Sequence, residues 1–202
     1  MKHSVPDGRT RRAIANRESI LEAANEIFLT KGYFDNTMMD ISQKAGVGYG
    51  TLYTHFNGKE DILKHLIDEV ASDFDQIVSV PYHPKSANEV EQRISQELEY
   101  LLNLAVKHRP ILKVSYQAMG ISQDIKDHWN QIFKKHIHKA MHDYSYSFSK
   151  GLTKAELDPK IVAKSIVFLA KEFFWDVVLE KENSIENVSK NIAALFIFGA
   201  YR

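Results

Sequence analysis

Apolar residues recur along this chain at spacings of three and four, the signature of amphipathic helices. Ile20, Leu21, Ala24, Ile27 and Phe28 fall on one face, and Lys31-Gly32 closes that helix with a cation in the last turn and glycine beyond it. Thr37-Met38-Met39-Asp40 reads as a capping residue with an acid three positions on, and opens a short helix through Ile41 and Ala45. Gly46 breaks it, Gly48 and Gly50 follow, and a second short helix carries Leu52, Tyr53 and Phe56. Asn57-Gly58-Lys59-Glu60 starts a longer helix, with Asn57 as the capping residue. Ile62, Leu63, Leu66, Ile67 and Val70 share one face of it, and it is expected to run to about Val78. Pro81-Tyr82-His83-Pro84 stops it, because the residue before a proline is pushed out of the helical region.

Four or five longer helices follow. One spans about Asn88 to Lys107, Pro110 starts another that reaches Met119, and a third runs from about Gln123 to Phe148. Gly151 to Pro159 is a connection in which Asp158-Pro159 supplies cap and first turn. The next helix runs to about Lys181 and the last from Ser184 to about Gly199. No convincing period-two segment or hairpin dipeptide interrupts the series. The expected fold is all-α: an N-terminal three-helix helix-turn-helix head plus a C-terminal helical bundle, about nine helices in total.

Composition narrows the class. The 202 residues are 44% hydrophobic and 26% charged, ordinary values for a globular protein. There is no cysteine, which excludes disulfides, thiolate metal sites and cysteine nucleophiles and fits a reducing compartment. Met1 to Thr10 is polar, without the apolar stretch of a signal peptide, and no run of about eighteen apolar residues occurs, so a cytoplasmic protein without a membrane span is expected. Formal net charge is zero but unevenly spread. Lys2, Arg9, Arg11, Arg12 and Arg17 stand against Asp7 alone in the first 17 residues, a positive arm that suits phosphate or, equally, is a solvated tail.

Residues 37–56 carry the chemistry. Gly46 accepts the positive φ of a tight turn, Ser42 and Ala45 are small enough for two helices to cross closely, and Ile41, Val47, Leu52 and Phe56 share an apolar contact. The second short helix is left with Tyr49, Gly50, Thr51, Tyr53, Thr54 and His55 facing outward. These groups donate hydrogen bonds or stack and carry no negative charge, so the face can enter a DNA major groove without repelling phosphate.

This stretch, above all Ala45-Gly46-Val47-Gly48-Tyr49-Gly50-Thr51-Leu52-Tyr53-Thr54-His55-Phe56 followed by Lys59-Glu60-Asp61-Ile62-Leu63, closely resembles the DNA-binding head of the TetR family (tetracycline-repressor-like regulators). Ala23-Ala24, Phe28 and Lys31-Gly32-Tyr33 resemble the family's first helix, and the detailed match covers about residues 17–66. The resemblance implies a basic flexible arm at 1–16, a helix-turn-helix DNA-binding domain at 17–60, a connecting helix at 61–80 and a C-terminal ligand-binding and dimerisation domain at 81–202. It implies DNA contacts from Thr37, Gly48, Tyr49, Gly50, Thr51, Tyr53, Thr54, His55 and Lys59. Thr37, Tyr53, His55 and Lys59 would meet phosphate, which positions, while Tyr49, Thr51 and Thr54 would read bases. The chain departs from the family pattern at Ser42, Gly48, Tyr49 and Gly58. Gly48 stands where a serine hydroxyl often caps the recognition helix.

The resemblance also implies a homodimer and a small-molecule pocket in the body. Val162, Ile166, Leu169, Phe173 and Val177 form one stripe and Ile192, Leu195 and Phe196 another; two such helices per subunit fit an isologous four-helix interface, or a monomer core. Tyr116, Met119, Trp129, Phe133, Tyr144, Phe148 and Phe168 are candidates to line a cavity, or ordinary core, and Glu172, one turn from Asp176, is placed to meet a cationic ligand or to lie on an exposed helix face. His138 and His142 share a helix face, but no third ligand stands near them in a metal-site spacing, so neither metal nor cofactor is expected.

The expected function is a sequence-specific DNA-binding regulator, a homodimeric repressor released from operator DNA by a small-molecule effector. The alternative is a helical protein-interaction module that does not bind DNA. An enzyme is not expected, because no nucleophile elbow, phosphate loop or paired catalytic acid stands out.

Overall fold

The structure, a computed structural model, describes residues 7–154, 157–181 and 184–200. Among these residues it is all-helical, with nine helices and no strand. They are α1 (Gly8–Lys31), α2 (Met38–Ala45), α3 (Tyr49–His55), α4 (Lys59–Val78), α5 (Ala87–Lys107), α6 (Arg109–Met119), α7 (Gln123–Ser149), α8 (Pro159–Val178) and α9 (Ile185–Ala200).

The flexible arm expected at 1–16 needs correction. Residues 1–6, with Lys2, lie outside the described residues, but 8–16 are the first turns of α1. Asp7 caps them, its carboxylate accepting from the Thr10 amide at 2.7 Å. Residues 8–15 are all exposed, so apolar periodicity could not reveal them. Asn57 does not cap α4 either: its amide and side chain both donate to Asp61 Oδ2, at 3.0 and 3.4 Å.

The chain divides into two compact units. The first joins the residues up to Glu69 with Pro110–Lys126. Within it α1 packs on α2 and α3, and α2 on α3. Phe28, Ile41, Leu52, Phe56, Ile62 and Leu63 are sealed from solvent, each contributing about 1.5–3 kcal/mol by burial. The turn between α2 and α3 is fixed twice. Gly46 takes φ 66°, the left-handed value open to glycine without strain. Ser42 is buried, and its hydroxyl donates to the Val47 carbonyl at 2.8 Å, so this departure from the family pattern has a structural use.

The second unit joins Val70–Arg109 with Asp127 and the residues beyond. Here α5 packs on α8 and α9, and α8 on α9. An aromatic cluster of Phe74, Trp129, Phe133, Phe174 and Trp175 fills the centre, with ring centroids 4.9–6.1 Å apart. Tyr82 is buried and its hydroxyl meets that of Ser147 at 2.9 Å.

Candidate nucleic-acid interface

α2 begins with a complete capping box. The Thr37 hydroxyl accepts from the Asp40 amide at 3.2 Å and donates to the Asp40 carboxylate at 2.6 Å, while the Thr37 amide donates to that carboxylate at 2.8 Å. Thr37 is therefore engaged within the head, and the first-turn amides of Met38 and Met39 remain as the groups an anion can approach. The hydroxyl of Thr37 and the ammonium of Lys31 hold the Asp40 carboxyl down at about 2.

α3 is short and turns its polar side outward. Leu52 is buried, Thr51 and His55 are half-buried, and Gly48, Tyr49, Gly50, Tyr53 and Thr54 are exposed. Tyr49 and Tyr53, one turn apart, stand edge to face with centroids 4.9 Å apart and hydroxyls 3.2 Å apart. That hydrogen bond raises the Tyr53 phenol above its ordinary pKa. The Thr54 hydroxyl turns back to the Thr51 carbonyl at 2.6 Å. Gly48 occupies the N-cap position of α3 with no side chain to accept from the first turn. No carboxylate lies anywhere in α3. α1 adds exposed Arg9, Arg11 and Arg12, and Arg17 lies with its guanidinium 5.0 Å from the Phe56 ring centroid.

Lys59 is placed differently from the phosphate contact expected of it. Its ammonium donates to the carbonyls of Tyr33 at 2.7 Å, Asn36 at 3.0 Å and Phe34 at 3.5 Å, and lies 4.7 Å from the Tyr33 ring centroid. Burial lowers its pKa, against the opposing pull of Asp35 and Glu60. The first residue of α4 thus ties down the loop that precedes the α2 cap. Sequence reasoning missed this because the carbonyls come from positions 23 to 26 residues away.

The second unit holds a cavity of about 150 Å³ between α4, α5, α7, α8 and α9. Of the expected lining residues it brings together Trp129, Phe133 and Tyr144. Phe148, Phe168 and Glu172 are exposed instead, and Tyr116 and Met119 belong to the other unit. The reason is helical phase: aromatics recur around α7 and α8, and spacing alone does not say which side meets the neighbours. Residues not expected there, including Glu97, Lys139, Asp143 and Lys171, also line it.

The apolar stripes expected at a dimer interface divide in the same way. Val177 and Ile192 are buried within the protomer, and Val162, Ile166 and Phe196 line the cavity. Leu169 and Phe173 are half-buried, and Leu195 is 67% exposed. The neighbouring Phe198 is 81% exposed, the most exposed large apolar side chain described. Among the described residues no three histidine, aspartate or glutamate side chains are grouped to hold a metal, and no helix is long and apolar enough to cross a membrane.

Comparison with known proteins points the same way. The family model for bacterial regulatory proteins of the tetR family matches residues 20–66, from the buried half of α1 into α4. An HTH-type transcriptional regulator of Staphylococcus aureus (strain USA300) is 30% identical over 131 residues, 59% of this chain and 68% of its own length. A TetR-family transcriptional regulator from Syntrophomonas wolfei shares the fold at a TM-score of 0.73 and 23% identity, over 91% of this chain and 95% of that one. SmeT, solved as a complex with triclosan, shares it at a TM-score of 0.69 and 15% identity, over 93% and 92%. Head motif, nine-helix order and relatives agree: the chain belongs to the TetR family of DNA-binding transcriptional regulators, which are not enzymes.

Proposed function

We propose that the protein is a homodimeric repressor that works in the cytoplasm and leaves its operator when a small molecule binds the body. The observation that carries the DNA reading is the exposed, acid-free face of α3. Tyr49, Thr51 and Thr54 read base edges in the major groove, with Gly48 and Gly50 letting the backbone come close. Tyr53 and His55 donate to phosphate, as do the first-turn amides of α2. Arg9, Arg11 and Arg12 add positive charge along α1.

One such helix supplies little affinity, and pairing two through a two-fold axis supplies the rest. Leu195 and Phe198 on α9, with half-buried Leu169 on α8, are the residues proposed for that pairing; large apolar side chains left exposed on the protomer suit an interaction surface. The cavity around Trp129 is the proposed effector site, a reading supported by the triclosan complex of SmeT. An effector lowers operator affinity only by binding the non-operator arrangement more tightly.

Titration of a labelled duplex over a range of salt concentrations tests this. Phosphate binding gives log K falling linearly with log salt, with a slope of about −0.9 for each phosphate neutralised. No salt-dependent binding to any duplex, from folded dimer, favours the protein-interaction module instead.

A further inference from the structure

The charges around the cavity select its ligand. Two carboxylates line it and both are already paired. Glu97 accepts from Arg93 Nε at 2.6 Å, and Asp143 is in direct contact with Lys139 one turn away on α7. His136 also lines it, and burial lowers its pKa, so it is a neutral ring at physiological pH. Lys171 is the exception. It lines the cavity, its ammonium is 5.7 Å from the centroids of both Phe133 and Phe168, and among the described residues it holds no carboxylate.

Lys171 also borders a shallow groove between α7 and α8. That groove shares Phe133, Val167 and Lys171 with the cavity, and it is further lined by Lys134 and Lys164 with no acid among its residues. An apolar, aromatic interior therefore sits beside three lysines, with no acid among the residues that line the groove they share. A cationic ligand would find the interior carboxylates taken and a positive edge opposing it. A neutral ligand would leave the edge unanswered.

Resting on the reading of the body as an effector domain, we propose that the cavity binds a hydrophobic monocarboxylate. Its ring or short chain lies against Trp129 and Phe174, and its carboxylate reaches Lys171, with Lys134 and Lys164 adding to the field. A cavity of about 150 Å³ is of the size that takes a benzene ring in an apolar interior, so a single ring with a short acidic tail is the expected dimension.

Three probes of one shape and different head test it: 3-phenylpropanoate, 3-phenylpropan-1-ol and 3-phenylpropylamine. Each is titrated into the full-length protein, with the emission of the buried pair Trp129 and Trp175 and the melting temperature as readouts. The acid is expected to bind most tightly and the amine least. Lys171→Gln is expected to cost the acid about fivefold to tenfold, as one half-exposed charge-assisted contact does, and to leave the alcohol unchanged. Unchanged alcohol binding also shows that the variant is folded. Lys171→Glu is expected to reverse the order of acid and amine. Equal or tighter binding of the amine or alcohol to the unaltered protein, or no binding of any probe, overturns the inference. So does acid binding that ignores Lys171→Gln. The same samples titrated with duplex separate the failures: probes that do not bind protein still competent for DNA sink the ligand class alone, whereas loss of DNA binding by the unliganded protein sinks the reading beneath it.

Discussion

Replacing Lys59 by methionine removes an ammonium while keeping most of its stem. Two well-formed hydrogen bonds disappear, to the carbonyls of Tyr33 and Asn36, along with a longer one to Phe34. A hydrogen bond to a charged group is worth about 1.5–3 kcal/mol. Here the ammonium is only partly removed from water, and the Tyr33 carbonyl keeps a second donor, the Asn36 side-chain Nδ2 at 3.1 Å. The net loss is therefore set below the roughly 3 kcal/mol that two such bonds give at the lower end, at about 2 kcal/mol in total. For a chain of this length that lowers the melting temperature by about 4–8 °C. DNA affinity falls as well, because the loop that leads into the α2 cap is no longer held. The slope of log K against log salt should stay unchanged, since no phosphate partner has been lost. A direct phosphate contact behaves in the opposite way: its removal cuts the slope by about one and leaves folding almost untouched. Calorimetry and salt-titrated anisotropy on the same variant decide between them, and an unchanged melting temperature with a reduced slope would refute the clamp. Lys59→Arg should recover only part of the loss, because a planar guanidinium cannot point three donors into one group of carbonyls as an ammonium does.

Other outcomes follow from the same geometry. Gly48→Ser should stabilise the fold by roughly a few tenths of a kcal/mol, read as a slightly higher melting temperature, by supplying the missing acceptor at the start of α3; an added Cβ meets Thr51 Oγ1 at 3.6 Å, an ordinary contact. Asp40, held at about 2 by Thr37 and Lys31, contributes stability at pH values above its unfolded pKa near 3.8. That contribution is lost as pH falls from about 4 to 2, so the melting temperature of the unaltered protein should drop through this window more steeply than that of Asp40→Asn. Leu195→Glu combined with Phe198→Glu should yield a folded monomer in sedimentation, since both side chains already face solvent in the protomer; a dimer that persists moves the interface elsewhere.

How much of this was legible in the sequence depends on how local each cause is. The helix-turn-helix could be read because its determinants lie within twenty residues: a capping box, a left-handed glycine, and apolar positions at Ile41, Leu52 and Phe56. The start of α1 was missed because its first turns bury nothing, and only the Asp7 cap signalled them. Lys59 reads as an outward phosphate contact in the sequence because the groups it meets within the head are main-chain carbonyls, which leave no mark in side-chain sequence. In the body, Phe168 and Phe174 look equivalent on α8, yet one is 58% exposed and the other 1%, since the phase of a helix is set by what packs against it. The same blindness placed Val177 and Ile192 on an interface when they belong to the protomer core. Ser42 is the reverse case, a small residue expected only to allow close crossing whose hydroxyl also holds the turn.

Selection of bound duplexes from a random-sequence library, with purified protein at near-physiological salt, tests the central claim most directly. A palindromic consensus is expected, with half-sites about one helical turn, roughly 10 base pairs, apart. Tyr49→Ala should shift the consensus, whereas Tyr53→Ala should weaken binding across all sequences. No enrichment from folded, dimeric, ligand-free protein, or an enrichment that Tyr49→Ala and Tyr53→Ala both leave untouched, would contradict it.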